Sequence, residues 1–435
     1  MADPEDPMPE ELVPDELGPE TEDQAERHAS NLELFLDLVF VFAVTQIAGL
    51  FAADTGPAGF GRALLLAWLV WWLWSQFTWL GTAIDLEARS LTQLLILAAV
   101  PLALLMAIAI PDAYGDTGLE FAGAYLAVNL WALGIQGRGL WNVPATRTAW
   151  LQYVPLAALA PVLVLVGTAF DRGPRTLIWC VVAAFDIGSA ILAGHRGGDG
   201  DTQWTIDPVH FVERHSLFVI ISLGEVLVAV GVAASEIRLT TEIGLGVIAA
   251  VSVACALWWT YFSYVPGVIE TVLRESRDRG RVARNMFSFG HFPIIVGIVL
   301  YAVAAKHVVA HPGQELATSD LVALGGAIAA FLGGFIGLQW QTARRVAPER
   351  AASIVLVVGL CVLVGPYVPG ALMVALVAGE IAISHAITLR RFTRNLAAQA
   401  RPDVDESALA AGHRHRRRRR PDWRFGSFRR ERGRR

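Results

Sequence analysis

The sequence predicts an all-α polytopic membrane protein of about twelve transmembrane helices, and three observations carry that prediction. Hydrophobic residues fill 54% of the 435 positions and charged residues only 17%, whereas a soluble chain would carry about a quarter charged. Apolar runs of about 20 residues recur from one end to the other, each long enough to cross a bilayer core as a helix. The segments between the runs also sort by cation content, as membrane loops do.

The runs centre on residues 34–52, 62–80, 91–110, 119–136, 148–169, 176–194, 211–233, 243–263, 286–305, 320–340, 351–365 and 370–389. With the N-terminus inside, the inner loops carry Arg89, Arg138, Arg147, Arg196, Arg274, Arg277, Arg279, Arg281, Arg284, Arg344, Arg345 and Arg350. The outer loops carry Arg62, Arg172, Arg175, Arg238 and Lys306, the single lysine. Twelve cations against five predict both termini on the cytoplasmic side. Outer segments such as PDAYGDTG at 111–118 are short and acidic.

The two ends oppose each other in sign. Residues 1–26 hold eleven Asp or Glu and neither Lys nor Arg, the reverse of a cationic secretory leader. Residues 1–30 are therefore read as an acidic disordered tail, too polar to offset the entropy of ordering. Residues 393–435 are read as a second disordered tail, with thirteen Arg in 401–435, HRHRRRRR at 413–420, and Trp423, Phe425 and Phe428 interleaved. Such a run beside a membrane contacts anionic lipid headgroups at about 1 kcal/mol per residue, and a nucleic-acid partner is not expected.

Between the tails the chain resembles itself. Glu33 in ELFLDLVFVFAV aligns with Glu213 in ERHSLFVIISLGEV, and Trp71-Trp72 with Trp258-Trp259. Arg89 and Pro101 align with Arg281 and Pro293, and Asp186 with Glu380, at offsets that rise slowly from 180 to 194. The expected organisation is a first six-helix repeat at 31–196, a cytoplasmic linker at 197–210 and a second repeat at 211–392. Six spans per repeat make the two parallel, related by an axis along the membrane normal.

Ionisable side chains inside such a body are the candidate functional residues, since each costs at least about 2–3 kcal/mol at the bilayer centre. Glu33 and Asp37 are four apart and share a helix face. Glu213 and Arg214 diverge by about 100° around their helix, so each needs a partner elsewhere. The simplest arrangement sets Arg214 near Asp37 or Glu33 across the axis. Glu225 lies about 18 Å further along its helix than Glu213. Asp186 and Glu380 fall near mid-span at matching places in the two repeats. His291 and His385 are read as hydrogen-bonded packing residues, and the tryptophans at 68–79 and 258–259 as packing groups or interfacial anchors. Gly325, Gly326, Gly333, Gly334 and Gly337 form a small-residue stripe for close helix approach. Cys180, Cys255 and Cys361, far apart and without CxxC spacing, are read as small buried hydrophobes.

ELFLDLVFVFAV together with HFVERHSLFVIISLGEVLVAVG resembles the bacterial low temperature requirement protein A (LtrA) family. The resemblance covers residues 28 to about 390, matches at Glu33, Asp37, Glu213, Arg214, Gly224 and Glu225, and implies a polytopic inner-membrane protein. It implies no particular substrate or reaction.

The functional expectation is a proton- or cation-coupled secondary transporter or channel for a small ion or solute. In it Asp186 and Glu380 hold the coupling ion, Glu33, Asp37, Glu213 and Arg214 form a cytoplasmic gate, and Glu225 lines the route. A structural charge network holding the two halves in register explains the gate residues equally well. The alternative for the whole protein is a non-transporting, lipid-interacting or regulatory membrane protein acting through the Arg-rich tail. No Walker loop, HExxH or GxSxG sequence is present, so neither an enzyme nor a cofactor or metal site is expected.

Overall fold

Hydrophobic stretches without water to bond must satisfy their backbone internally, and helices do so. The computed structural model describes residues 28–84, 86, 89–142, 144–196, 206–263, 265–276, 278–344 and 346–399. Within them the chain forms α1 (Asn31–Ala53), α2 (Pro57–Ala83), α3 (Ser90–Ile108), α4 (Gly118–Leu140), α5 (Pro144–Gly167), α6 (Arg172–Arg196) and α7 (Pro208–Ser235). It continues with α8 (Thr241–Phe262), α9 (Val265–Glu275), α10 (Arg279–Ala283), α11 (His291–Ala310), α12 (Thr318–Ala343), α13 (Pro348–Leu363) and α14 (Gly370–Gln399). Twelve candidate spans are long and apolar enough to cross a membrane, the eighth taking in α8 with α9 and the ninth α10 with α11. The expected acidic tail, the middle of the linker and most of the Arg-rich tail lie outside the described residues.

The described edges of those three segments are helical or anchored. Residues 28 and 29 are tied to α7 through Glu213. Pro208, at the first position of α7, follows an Asp207 cap that accepts from the amides of Val209 and His210, so α7 begins inside the segment read as linker. Residues 393–399 extend α14 beyond the expected end of the second repeat. They belong to a unit that starts at Ala386, separate from the body ending at His385.

The inner loop expected after span eight is also structured. Val265, Ile269 and Leu273 recur every fourth residue and give α9 one buried stripe, by which it packs on α7 and α8. Asp278 caps α10, its carboxylate accepting from the Arg281 amide and guanidinium. Burial raises the Asp278 carboxyl, but those Arg281 contacts outweigh it and hold the group below the usual carboxylate range.

In the body, α1 packs on α2 and α3, α3 on α4, α4 on α5 and α5 on α6. In the same way α7 packs on α8 and α11, α11 on α12 and α12 on α13. The two sets join where α1 meets α7 and α11, and where α2 meets α7 and α11. Pro293 shapes that seam: it lacks the N–H that would bond the carbonyl of Phe289. The chain takes a π-helical turn over Arg284–Phe289 just before α11. Trp71, Ser75 and Trp79, each a turn apart on α2, all dock on Ser288 of that turn.

The glycine stripe of α12 divides between neighbours. A Cβ on Gly334 would meet Ile294 of α11 at 2.6 Å, Gly325 faces Cys361 of α13, and Gly333 and Gly337 face open space. An approach to backbone comes from the other side, where a Cβ on Gly297 would lie 2.6 Å from the Ala327 carbonyl and 2.7 Å from the Phe331 nitrogen. Cys361 is buried as expected, whereas Cys180 and Cys255 are exposed on the helix surface.

Candidate functional site: a buried ion cluster between α1 and α7

Ser30 and Glu33 close a capping box at the start of α1, with the Glu33 amide donating to Ser30 Oγ and the Ser30 amide to Glu33 Oε2. That box fixes the Glu33 side chain and orients its carboxylate. Asp37 follows one turn later on the same face. On α7, His210 and Arg214 are likewise one turn apart. All four are almost wholly buried, at 3%, 0%, 3% and 0% exposure for Glu33, Asp37, His210 and Arg214.

The two pairs mesh. His210 Nε2 lies 3.1 Å from both oxygens of Glu33, and its Nδ1 lies 3.2 Å from Thr82 Oγ1. Arg214 donates from Nη2 to Asp37 Oδ1 at 2.8 Å, and its Nε approaches Glu33 Oε1 at 3.6 Å. Trp74 donates its indole N–H to the same Asp37 Oδ1 at 2.8 Å, while its ring lies under the Arg214 guanidinium at 5.9 Å. Gly81 makes room for this, since a Cβ there would sit 2.2 Å from Glu33 Oε1.

The cluster carries polar capacity that the protein leaves unused. Asp37 Oδ2, Arg214 Nη1, His215 Nε2 and Ser216 Oγ are buried without a hydrogen-bond partner. His215 donates from Nδ1 to the Phe211 carbonyl, so the bare Nε2 is an acceptor. Its ring packs against Trp74 at 4.9 Å and against His291 at 5.1 Å. Orphaned buried polar atoms are costly unless water or a ligand reaches them.

Deeper between the helices the lining turns apolar. A cavity of about 20 Å³ is bounded by Val44, Ile47, Val70, Trp74, Phe218 and Val296, among others. On α7, half-buried Glu225 lies beside Thr45 of α1, which falls between Val44 and Ile47 of the cavity lining.

The expected placement of Arg214 on Asp37 is what the structure displays. Glu213 stands apart: it points to the rim, accepting from the Ala29 amide at 2.9 Å and contacting His28 at 3.1 Å. Asp186 and Glu380 do not meet. Asp186 lies toward Trp68 of α2, in a helix that packs on α2 and α5. Glu380 accepts from Ser353 of α13 at 2.7 Å. Each acid thus has these partners within its own set of helices. His291 is a satisfied packing residue, bonded to Tyr261 and the Met286 carbonyl, and His385 bonds Ser263.

Sequence reasoning passed over His210, Trp74 and Gly81. The signal for His210 was its spacing of four from Arg214, matching that of Glu33 and Asp37. Trp74, read as packing, also supplies a donor to a buried acid.

Residues 28–386 match the family described as bacterial low temperature requirement A protein (LtrA). The chain is also similar to a Rhizobium meliloti (strain 1021) protein described as Uncharacterized protein RA0937, at 30% identity over 330 residues, covering 74% of this chain and 79% of that one. No solved structure matches.

Proposed function

The chain belongs to the bacterial low temperature requirement A family, and from that premise we propose that it is a proton-coupled secondary transporter or channel whose coupling proton resides in the α1–α7 cluster. The carrying observation is a charge count. Two buried carboxylates, Glu33 and Asp37, face one permanent cation, Arg214, and one imidazole, His210. With His210 neutral the set holds one uncompensated negative charge in an apolar interior, which is expensive. One additional proton, on His210 or on Asp37, neutralises it. The cluster is thus built to hold one labile proton, and the unused Asp37 Oδ2 and His215 Nε2 are acceptors through which water can deliver it.

The route would lead from the His28–Glu213 rim through Glu33 and His210 to Asp37, and then along the apolar lining to Glu225. A hydrophobic constriction between two polar stations gates by excluding water. The recurrence of the same helix pairings in α1–α5 and in α7, α8 and α11–α13 supports two parallel repeats, which in secondary transporters move against each other about a central site. Both termini in the cytoplasm of the inner membrane complete this reading.

The test is reconstitution in liposomes with an internal pH dye. Asp37→Asn and His210→Gln should each abolish gradient-driven proton movement while the folded protein persists by thermal unfolding. A flux with unchanged pH dependence in both variants overturns the coupling assignment. Deleting residues 401–435 should leave the flux intact. Loss of all function on that deletion would favour the lipid-interacting role through the Arg-rich tail instead.

A further inference from the structure

Outside the α1–α7 cluster, one buried acid among the described residues remains without a counter-charge. Asp186 of α6 is 4% exposed, and its Oδ2 has no hydrogen-bond partner. Among the described residues no cationic side chain pairs with it. The groups around it are Trp68 of α2, Tyr125 of α4 and Tyr153 of α5. The Trp68 indole N–H faces the carboxyl and also lacks a completed hydrogen bond. That indole packs against Trp72 at 5.4 Å and Phe289 at 6.1 Å, which also pack on each other at 6.1 Å, and it turns its N–H edge to the acid. The Arg284 guanidinium, which reaches α6, is engaged elsewhere: it bonds the Ala190 carbonyl, one turn further along α6, and Asn285.

An ionised carboxylate in such a place has neither ion pair nor a full set of donors, and the alternatives are a bound cation or a proton. Two phenols and an indole edge supply too few oxygen ligands for a metal cation. We infer that Asp186 is a second proton-binding carboxyl, separate from the α1–α7 cluster and reached from the lipid side of α6. The lipid-side approach rests on Ile187, next to Asp186 on α6, and Tyr153 of α5, both of which are exposed. Neither tyrosine competes for the proton, because phenols titrate far above the carboxylate range.

The experiment uses the full-length protein in liposomes and dicyclohexylcarbodiimide, an apolar reagent that enters the bilayer. A protonated carboxyl adds its O–H across one C=N bond of the carbodiimide, giving an O-acylisourea that rearranges to a stable N-acylurea. The proton ends on the reagent nitrogen and no group leaves, so the peptide gains the whole reagent mass. The expected result is an adduct on Asp186 that is lost as the pH is raised, and that persists unchanged in His210→Gln. Asp186→Asn should lose the adduct. Should that variant not fold, the pH series on the wild-type chain decides alone. Absence of the adduct at every pH, or labelling that is flat across the series, overturns the inference. Titrating labels at Asp186 without any proton flux would leave this site standing and remove only the α1–α7 assignment.

Discussion

Arg214 donates to Asp37 at 2.8 Å across 177 residues of sequence, and the same separation of 177 joins His210 to Glu33 one turn earlier. A constant offset over two rungs means that α1 and α7 run parallel and in register there. The first and seventh spans of an alternating bundle must run in the same direction, so connectivity and charge pairing agree. The ladder links the two sets of helices, as do the three bonds from α2 to Ser288.

Removing the permanent cation should be severe. Arg214→Met leaves two buried carboxylates uncompensated and is expected to lower the unfolding free energy by about 3–5 kcal/mol. Adding Asp37→Leu should recover part of that loss, since one of the stranded charges then disappears. Denaturant unfolding in detergent measures both. A single-variant cost below about 1 kcal/mol would indicate a solvated, weak pair.

Gly81→Ala should disturb the cluster without touching a charge. The new methyl falls 2.2 Å from Glu33 Oε1 and 3.2 Å from His210 Cε1, and Glu33 is held by its capping box. Overpacking of this kind costs about 1–3 kcal/mol. Shortening the acid in Gly81→Ala/Glu33→Asp should relieve part of it, and unfolding midpoints for the two variants are the check.

The glycines of the α11–α12 seam should behave unequally. Gly297→Ala drives a methyl into backbone atoms of Ala327 and Phe331, which cannot move aside as a side chain can, so a loss of at least about 1–3 kcal/mol is expected. Gly333→Ala meets nothing within 4 Å and should stabilise α12 by about 0.5–1 kcal/mol through backbone entropy. Equal effects in paired unfolding curves would contradict this packing.

Trp71→Phe isolates one hydrogen bond at the π-helical turn. The Trp71 indole N–H donates to the Ser288 carbonyl at 2.6 Å in a buried setting. Leaving that carbonyl unsatisfied should cost about 1–3 kcal/mol. Local opening should appear as faster amide exchange confined to residues 284–291, and exchange unchanged there would assign the turn to Pro293 alone.

Several of these residues were legible before the fold. Glu33, Asp37 and Arg214 stood out because a charge in an apolar span needs compensation, and one cation beside two acids suggests its partner. His210 was visible only as the residue one turn before Arg214, a spacing that is also common by chance. Trp74 and Gly81 carry no such mark, since an indole N–H and a missing Cβ become functional only against a particular neighbour. Asp186 and Glu380 show the opposite failure. Their matched positions along the chain suggested a shared site, yet depth in a span does not specify which way a helix faces.

Hydropathy along the chain is enough to read a membrane protein of about twelve apolar helices with costly ionisable groups at particular depths. Those are local properties, set by hydropathy and by residue spacing along one helix. Only the tertiary structure decided which charges meet, which glycines touch a neighbour and which acid stands alone. Helices that are apolar all round carry no stripe to indicate their buried face. In a bilayer their mutual rotation is settled by close packing and a few polar contacts between distant segments, and neither is written in any single stretch of sequence.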